Sequence, residues 1–314
     1  MTFFLVDTEE DPMIYFGGGG PDSVQFIVGA NGILHPSATF TRASTGTTEL
    51  TQGVYSVAAV NEPRYQWASG RRGLLIEPSA TNLVFPSAVA QTMSVAVTAQ
   101  PYTLSFFGAG SVTLSGTSTG VVVGTGTTLK TFTFTPAAGS LTLTVSGSVT
   151  QWQLETGVVA TSRIITTSAA ATRAPDVPSI ATAAFGFNAS EGTFICEYFS
   201  GTNITNNVVK AQPSGDEFIT RRLSGSHGTW NGIQETNTLN AISGAAKITS
   251  GTTYWSGGIG VAMNGAGYNQ GNSPYNLASV SSISMGPLPG TAVIFNLPYY
   301  PRKFTAAELQ AASA

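Results

Sequence analysis

The chain has 314 residues, of which 42% are hydrophobic and only 9% charged, with a net charge of −3. That apolar fraction excludes a disordered chain, the length admits two domains with separate cores, and a weakly acidic balance without a basic stripe excludes a nucleic-acid footprint. Polarity comes from Ser, Thr, Asn, Gln and Gly, a composition of short strands and tight turns rather than helices. The class expected is all-β: tandem β-sandwich or jelly-roll modules with an extended N-terminal arm and a short C-terminal helix.

Residues 1–25 read as an arm. Phe3, Phe4, Leu5 and Val6, then Ile14, Tyr15 and Phe16, flank the acids Asp7, Glu9, Glu10 and Asp11. The arm closes on Gly17 to Gly20 and Pro21, a run that suits neither a helix nor a central strand. Two readings stand: a jointed attachment arm, or an ordered segment packed on the body, including a strand added to its own sheet. No basic start of a secretion signal is present, which leads us to expect assembly inside the producing cell.

Residues 26–77 carry strand-like pieces at 24–28, 39–42, 53–60 and 73–76, and are expected to connect rather than to build a large core. In residues 78–165 the period of two is strongest. Tyr102, Leu104 and Phe106 alternate with Thr103 and Ser105. Phe132 and Phe134 alternate with Thr131, Thr133 and Thr135. Leu141, Leu143 and Val145 alternate with Thr142 and Thr144. One apolar and one hydroxyl face per strand is a half-buried antiparallel sheet, so a small sandwich is expected here. Residues 166–182 read as a linker with a stiff Ala174-Pro175-Asp176-Val177-Pro178 stretch.

Residues 183–314 fit a jelly roll, with strands at 192–199, 218–223, 254–261 and 291–297. Cys196 lies in one of them and is expected to be a buried thiol. At the C-terminal end, Thr305 with Glu308 three residues on is a capping-box pattern, predicting a helix over 305–312. No apolar run reaches the roughly 18 residues a membrane helix needs, so no membrane insertion is expected.

Chemistry is sparse. His35 and His227 are the two histidines, and no GxSxG elbow accompanies them. Asp216, Glu217 and Glu235 show no spacing that pairs carboxylates for glycoside hydrolysis. No calcium-loop or zinc spacing occurs, so neither catalytic residues, metal nor cofactor is expected. Sugar binding by an aromatic face with a neighbouring amide remains. Its candidates are Trp230 with Asn231, Tyr268 with Asn269, and Tyr275 with Asn276, each read as a loop pair against the alternative of core or subunit packing. Trp152 and Trp255 read as core residues.

Several runs occur in a set order: Phe40-Thr41-Arg42-Ala43-Ser44-Thr45; Pro63-Arg64-Tyr65; Arg72-Gly73-Leu74-Leu75-Ile76-Glu77; and Ala80-Thr81-Asn82-Leu83. Then come Gln153-Leu154-Glu155-Thr156-Gly157 with Ala160-Thr161-Ser162, Ala171-Thr172-Arg173-Ala174-Pro175-Asp176, and Tyr299-Tyr300-Pro301-Arg302-Lys303-Phe304-Thr305. Across residues 38–312 this set resembles phage and prophage proteins of the head-spike and tail-fibre type. The chain departs from that family after Ser162, where Arg163-Ile164-Ile165 stands in place of a tyrosine-containing sequence. The resemblance implies a carbohydrate-binding-like sandwich followed by a concanavalin A-like or laminin-G-like domain. It implies a non-enzymatic structural protein of the virion surface: a head spike, decoration or tail-fibre component, assembled in the host cytoplasm. Such a protein forms a homotrimer. The arm's own apolar side chains, too many to leave in water and too few for a core, are expected to bind another virion protein through Phe3, Phe4, Ile14, Tyr15 and Phe16. The alternative reading is a host-receptor adhesin for surface glycans, and a further one a capsule depolymerase. The runs themselves read as structural: Arg72 and Glu77 pairing or capping turns, Asn82 holding a turn through its amide.

Overall fold

The computed structural model describes residues 24–28, 33–201, 206–212, 219–223, 226–230, 235–237, 246–272, 277–286 and 290–314. They form an all-β protein closed by one helix, as the composition predicts.

The larger unit is a sandwich of two antiparallel sheets. One sheet runs Ala266–Gly271, Gly258–Met263, Ala246–Trp255, Glu191–Ser200, Ala292–Asn296, Arg71–Ile76, Arg64–Ala68. Pro298–Tyr300 also joins Glu191–Ser200, and Val24–Gln25 joins Pro298–Tyr300. The facing sheet runs Glu235–Asn237, Ser226–Trp230, Ile219–Leu223, Asn206–Gln212, Ser282–Ser284, Val177–Ala181, Ala38–Thr41. Phe194, Cys196, Tyr198, Leu74, Ile76 and Ile294 from the first sheet meet Phe40, Ile180, Val208, Ala211 and Ile283 from the second in one buried core. The intervening residues of the first sheet point outward and are covered as well. Ile195 and Ala262 lie under the C-terminal segment, while Leu75, Val293 and Phe295 form a second outer patch. A sheet buried on both faces reads as an unbroken apolar run, hence Leu74-Leu75-Ile76 and Val293-Ile294-Phe295.

This sandwich draws on more of the chain than residues 183–314. The 26–77 stretch, expected only to connect, supplies Ala38–Thr41, Arg64–Ala68 and Arg71–Ile76. The stretch expected as a linker supplies Val177–Ala181, paired between Ala38–Thr41 and Ser282–Ser284. Pro178 is accommodated within this strand, and the apolar Ile180 reaches the core. The 254–261 run is a hairpin rather than one strand: Ala246–Trp255 turns at Ser256 and Gly257 into Gly258–Met263.

The smaller unit is inserted between the strands ending at Ile76 and beginning at Val177. Its four-stranded sheet runs Met93–Val97, Gly139–Ser146, Ser111–Gly116, Gly120–Val123. Its three-stranded sheet runs Gly126–Phe134, Tyr102–Gly108, Thr150–Thr156. Leu104 lies opposite Phe132 and Leu154. Tyr102, Leu104 and Phe106 pack on Trp152, Leu141, Leu143 and Val112 in a separate core. On two strands of the three-stranded sheet the polar face is buried too: Thr103, Ser105, Gln153 and Glu155 are shielded from solvent, while Thr131 and Thr133 on Gly126–Phe134 stay exposed. The buried four face the larger unit. Ala80–Asn82 pairs with Ala171–Arg173 as a neck between the two units.

Thr305 caps the helix Ala306–Ala312 with the expected reciprocal bonds to Glu308. Leu309 seats the helix on the outer sheet face, where a side chain at Gly251 would come within 2.7 Å of its Cδ1. Cys196 is a buried free thiol, and burial pushes its pKa well up.

Candidate functional site: the polar junction and its cleft

Where the two units meet, five charged side chains are buried together. Arg42 follows the strand Ala38–Thr41, Arg64 opens Arg64–Ala68, and Glu77 follows Arg71–Ile76. Arg173 ends Ala171–Arg173, and Asp176 precedes Val177–Ala181. The Arg64 guanidinium donates to Glu77 Oε2 at 2.9 Å and to both oxygens of Asp176. Arg42 Nη1 reaches Asp176 Oδ1 at 3.2 Å, and Arg173 Nη1 reaches Glu77 Oε2 at 3.0 Å. Three cations against two anions leave one surplus positive charge. Backbone carbonyls disperse it, since Arg42 also donates to Ser44, Ala59 and Glu62. Gly46 makes room for the cluster: a Cβ there would lie 2.7 Å from Arg64 Cδ.

Burial would raise the Glu77 carboxyl, but Arg173, Arg64 and hydrogen bonds from Ser162 outweigh it and hold it at about 2. Burial also raises Glu155, which accepts from Gln153 and Thr161. Asn82 completes the polar layer. Its amide nitrogen donates to the carbonyls of Trp152 and Ile164, and its oxygen accepts from the N–H groups of Val84 and Leu154. Asn82 holds its own turn through Val84 N, as expected, and its other three bonds bridge to chain 70 and more residues away. Arg72 does not pair with Glu77. It stacks over Tyr65 at 4.4 Å and donates to the Glu49 carbonyl.

Beside this cluster opens a cleft of about 530 Å³. One wall is the hydroxyl face of the three-stranded sheet: Thr103, Ser105, Phe107, Thr131, Thr133 and Gln153. The opposite wall combines the hairpin of Gly46–Thr51 and Val54–Ala58 with Tyr65, Gln66 and Trp67, over the outer patch of Leu75 and Val293. The floor is the connecting segment 158–163. Glu49 holds the hairpin to the next strand, accepting from Gly53 N at 2.6 Å and Trp67 N at 2.8 Å. Trp67 presents an indole N–H that is buried and lacks a hydrogen-bond partner among the described residues. Arg163 lines the floor with its Nε in the same condition. A mostly apolar lining with aromatic rings, and several hydroxyls and amides facing the same space, suits a polyhydroxylated ligand.

Two of the sugar-binding candidates drawn from sequence, Tyr268 and Asn269, are not part of the cleft lining. Trp230 ends the strand Ser226–Trp230 opposite Ile219 and Glu235, so it is a strand residue rather than a loop residue. Tyr268 and Asn269 are also in a strand, Ala266–Gly271, where adjacent side chains take opposite faces. Tyr268 packs with Ile195, Phe304 and Leu309 beneath the helix, and Asn269 Oδ1 accepts from Gln270 N. Asn231, Tyr275 and Asn276 lie outside the described residues, as do the attachment residues Phe3, Phe4, Ile14, Tyr15 and Phe16, and Asp216 and Glu217. His227 is in the strand opposite Arg222. Trp152 is a core residue as expected. Trp255 is only partly buried, with Lys303 Nζ 3.5 Å from its ring centre.

Sequence reasoning missed Trp67, Glu49 and Arg163 as neighbours. The hairpin that carries Glu49 meets Arg163 through Thr47 across 116 residues of chain, a pairing that local periodicity does not report.

Fold and site together define an all-β, two-unit sandwich protein with a polar junction cleft. No protein-family model matches the chain, and no curated protein matches it. Among solved structures, it is similar to the CBM40 of the Ruminococcus gnavus IT-sialidase bound to alpha2,3 sialyllactose. The TM-score is 0.35 and the identity 13%, over 40% of this chain and 84% of that one. It is also similar to the binding domain of botulinum neurotoxin DC in complex with rat synaptotagmin II. There the TM-score is 0.34 and the identity 9%, over 44% of this chain and 39% of that one. These likenesses involve carbohydrate-binding and receptor-binding domains, at scores below those of a shared overall fold.

Proposed function

We propose that this protein is a non-enzymatic glycan-binding component of a virion surface, with the junction cleft as its binding site. The observation that carries the glycan reading is the cleft lining: Trp67 with a free indole N–H, Phe107, and a hydroxyl-rich sheet face opposite. Binding rather than hydrolysis is favoured by the two carboxylates that line it. Both Glu49 oxygens accept backbone N–H groups, and Glu77 is held ionised by two arginines. Neither is placed as a proton donor. The virion placement, the homotrimer and attachment through the N-terminal arm rest on the ordered sequence runs and the low charge, which favours residence in an assembly.

Glycan arrays with the full chain test the binding. We expect discrete hits that Trp67→Ala weakens about tenfold or more, because an aromatic anchor in a desolvated pocket is worth roughly 2 kcal/mol. A blank array, or hits indifferent to Trp67, removes the cleft reading. Antibody labelling of intact particles, and light scattering showing three copies, test the placement and the assembly.

A further inference from the structure

We propose that the cleft takes an anionic saccharide whose acidic group docks on the Arg163 guanidinium. This rests on the reading of the cleft as a glycan site and names the class of glycan. The fully buried arginines of the junction, Arg42, Arg64 and Arg173, each have a carboxylate partner within 3.2 Å. Arg163 has none among the described residues, and its Nε is a buried donor without an acceptor. Burial pulls its pKa down, and no carboxylate counters that effect.

The carboxylates of the cleft are committed elsewhere. Glu77 is bound by Arg64, Arg173 and Ser162. Glu49 faces the N–H groups of Gly53 and Trp67. The neighbouring buried cluster adds its own surplus positive charge. An Nε–H shielded from water without an acceptor is costly until an anion arrives, and the planar fork of the half-buried Arg163 matches a carboxylate or a sulfate. Thr47 Oγ1 donates to the Arg163 carbonyl at 2.9 Å, which fixes the backbone from which the side chain projects. Thr131, Thr133 and Gln151 on the same lining supply partners for the hydroxyls of the ring that carries the anion.

The test uses the full chain and two matched pairs of probes by calorimetry at low salt. Tetragalacturonate is compared with its methyl ester, and sulfated dextran oligosaccharide with dextran. The pairs separate a carboxylate source from a sulfate source. We expect the acidic member of at least one pair to bind about tenfold or more tightly than its neutral partner. That preference should disappear in Arg163→Gln and survive in part in Arg163→Lys, with melting temperatures close to wild type. Equal binding of acidic and neutral members overturns the inference, and so does a preference that Arg163→Gln leaves intact. In either case, binding that Trp67→Ala abolishes leaves the cleft reading standing. Absence of binding to all four probes overturns the inference, whereas a blank glycan array overturns the cleft reading. Should Arg163→Gln fail to fold, the wild-type probe pairs and Arg163→Lys still decide.

Discussion

Arg64 donates to both buried carboxylates of the junction, so its loss leaves Glu77 and Asp176 facing each other with less compensation. Breaking a buried pair from one side costs about 3–5 kcal/mol, and denaturant unfolding of Arg64→Met should show a loss of that order. Glu77 adds a pH signature. Its folded pKa of about 2 lies below its ordinary value of 4.5, so its contribution is complete above about pH 4.5 and is lost as the pH falls toward 2. Glu155 is raised instead and acts with the opposite sign, so the comparison is with Glu77→Gln. That variant should be less stable than wild type at pH 7 by on the order of 3 kcal/mol. Melts taken down to pH 2 should show the gap closing. The members of this cluster stood in the ordered sequence runs, and their structural role was legible there. Their partnership was not. Arg42 and Asp176 are 134 residues apart, and periodicity describes only neighbours on one strand. Arg163 carried even less signal: its lack of a partner is a property of the assembled junction.

At the scale of elements, alternation located the strands of the small sandwich because one face meets a core and the other carries hydroxyls. It assigned the hydroxyl face to solvent in error for Thr103 and Ser105, since a second unit covers them and a buried polar face looks like an exposed one in sequence. The C-terminal helix was legible because its cap is a local exchange between Thr305 and Glu308. Its docking is not local. Leu309 is fully buried and should contribute more than the cap. Thr305→Ala should cost about 1 kcal/mol and Leu309→Ala about 2–5 kcal/mol. Urea unfolding of the two variants should rank them in that order. The Pro-containing strand Val177–Ala181 was hidden because proline argues against an interior strand.

At the scale of the molecule, the larger sandwich is discontinuous in sequence. A fragment of residues 183–314 lacks Arg71–Ile76 and Arg64–Ala68 from one sheet, and Val177–Ala181 and Ala38–Thr41 from the other. It exposes Ile294 and Ile283 where Leu74, Ile76 and Ile180 should cover them. We expect it to aggregate or to melt without a cooperative transition, whereas residues 24–314 melt cooperatively. Calorimetry of the two fragments checks this.

The neck formed by Ala80–Asn82 and Ala171–Arg173 also has a kinetic meaning. Thr41 and Val177 must meet across 136 residues of chain, a closure that is slow for an unstructured loop. Once the inserted sandwich has folded, its two ends leave side by side as paired strands, and most of that loop no longer counts. The inserted unit would therefore act as an internal clamp that shortens the search of its host. Stopped-flow refolding should show Trp152 reaching its native environment before Trp67, and a destabilising change in the inserted core, such as Leu104→Ala, should slow the later phase as well as the earlier one.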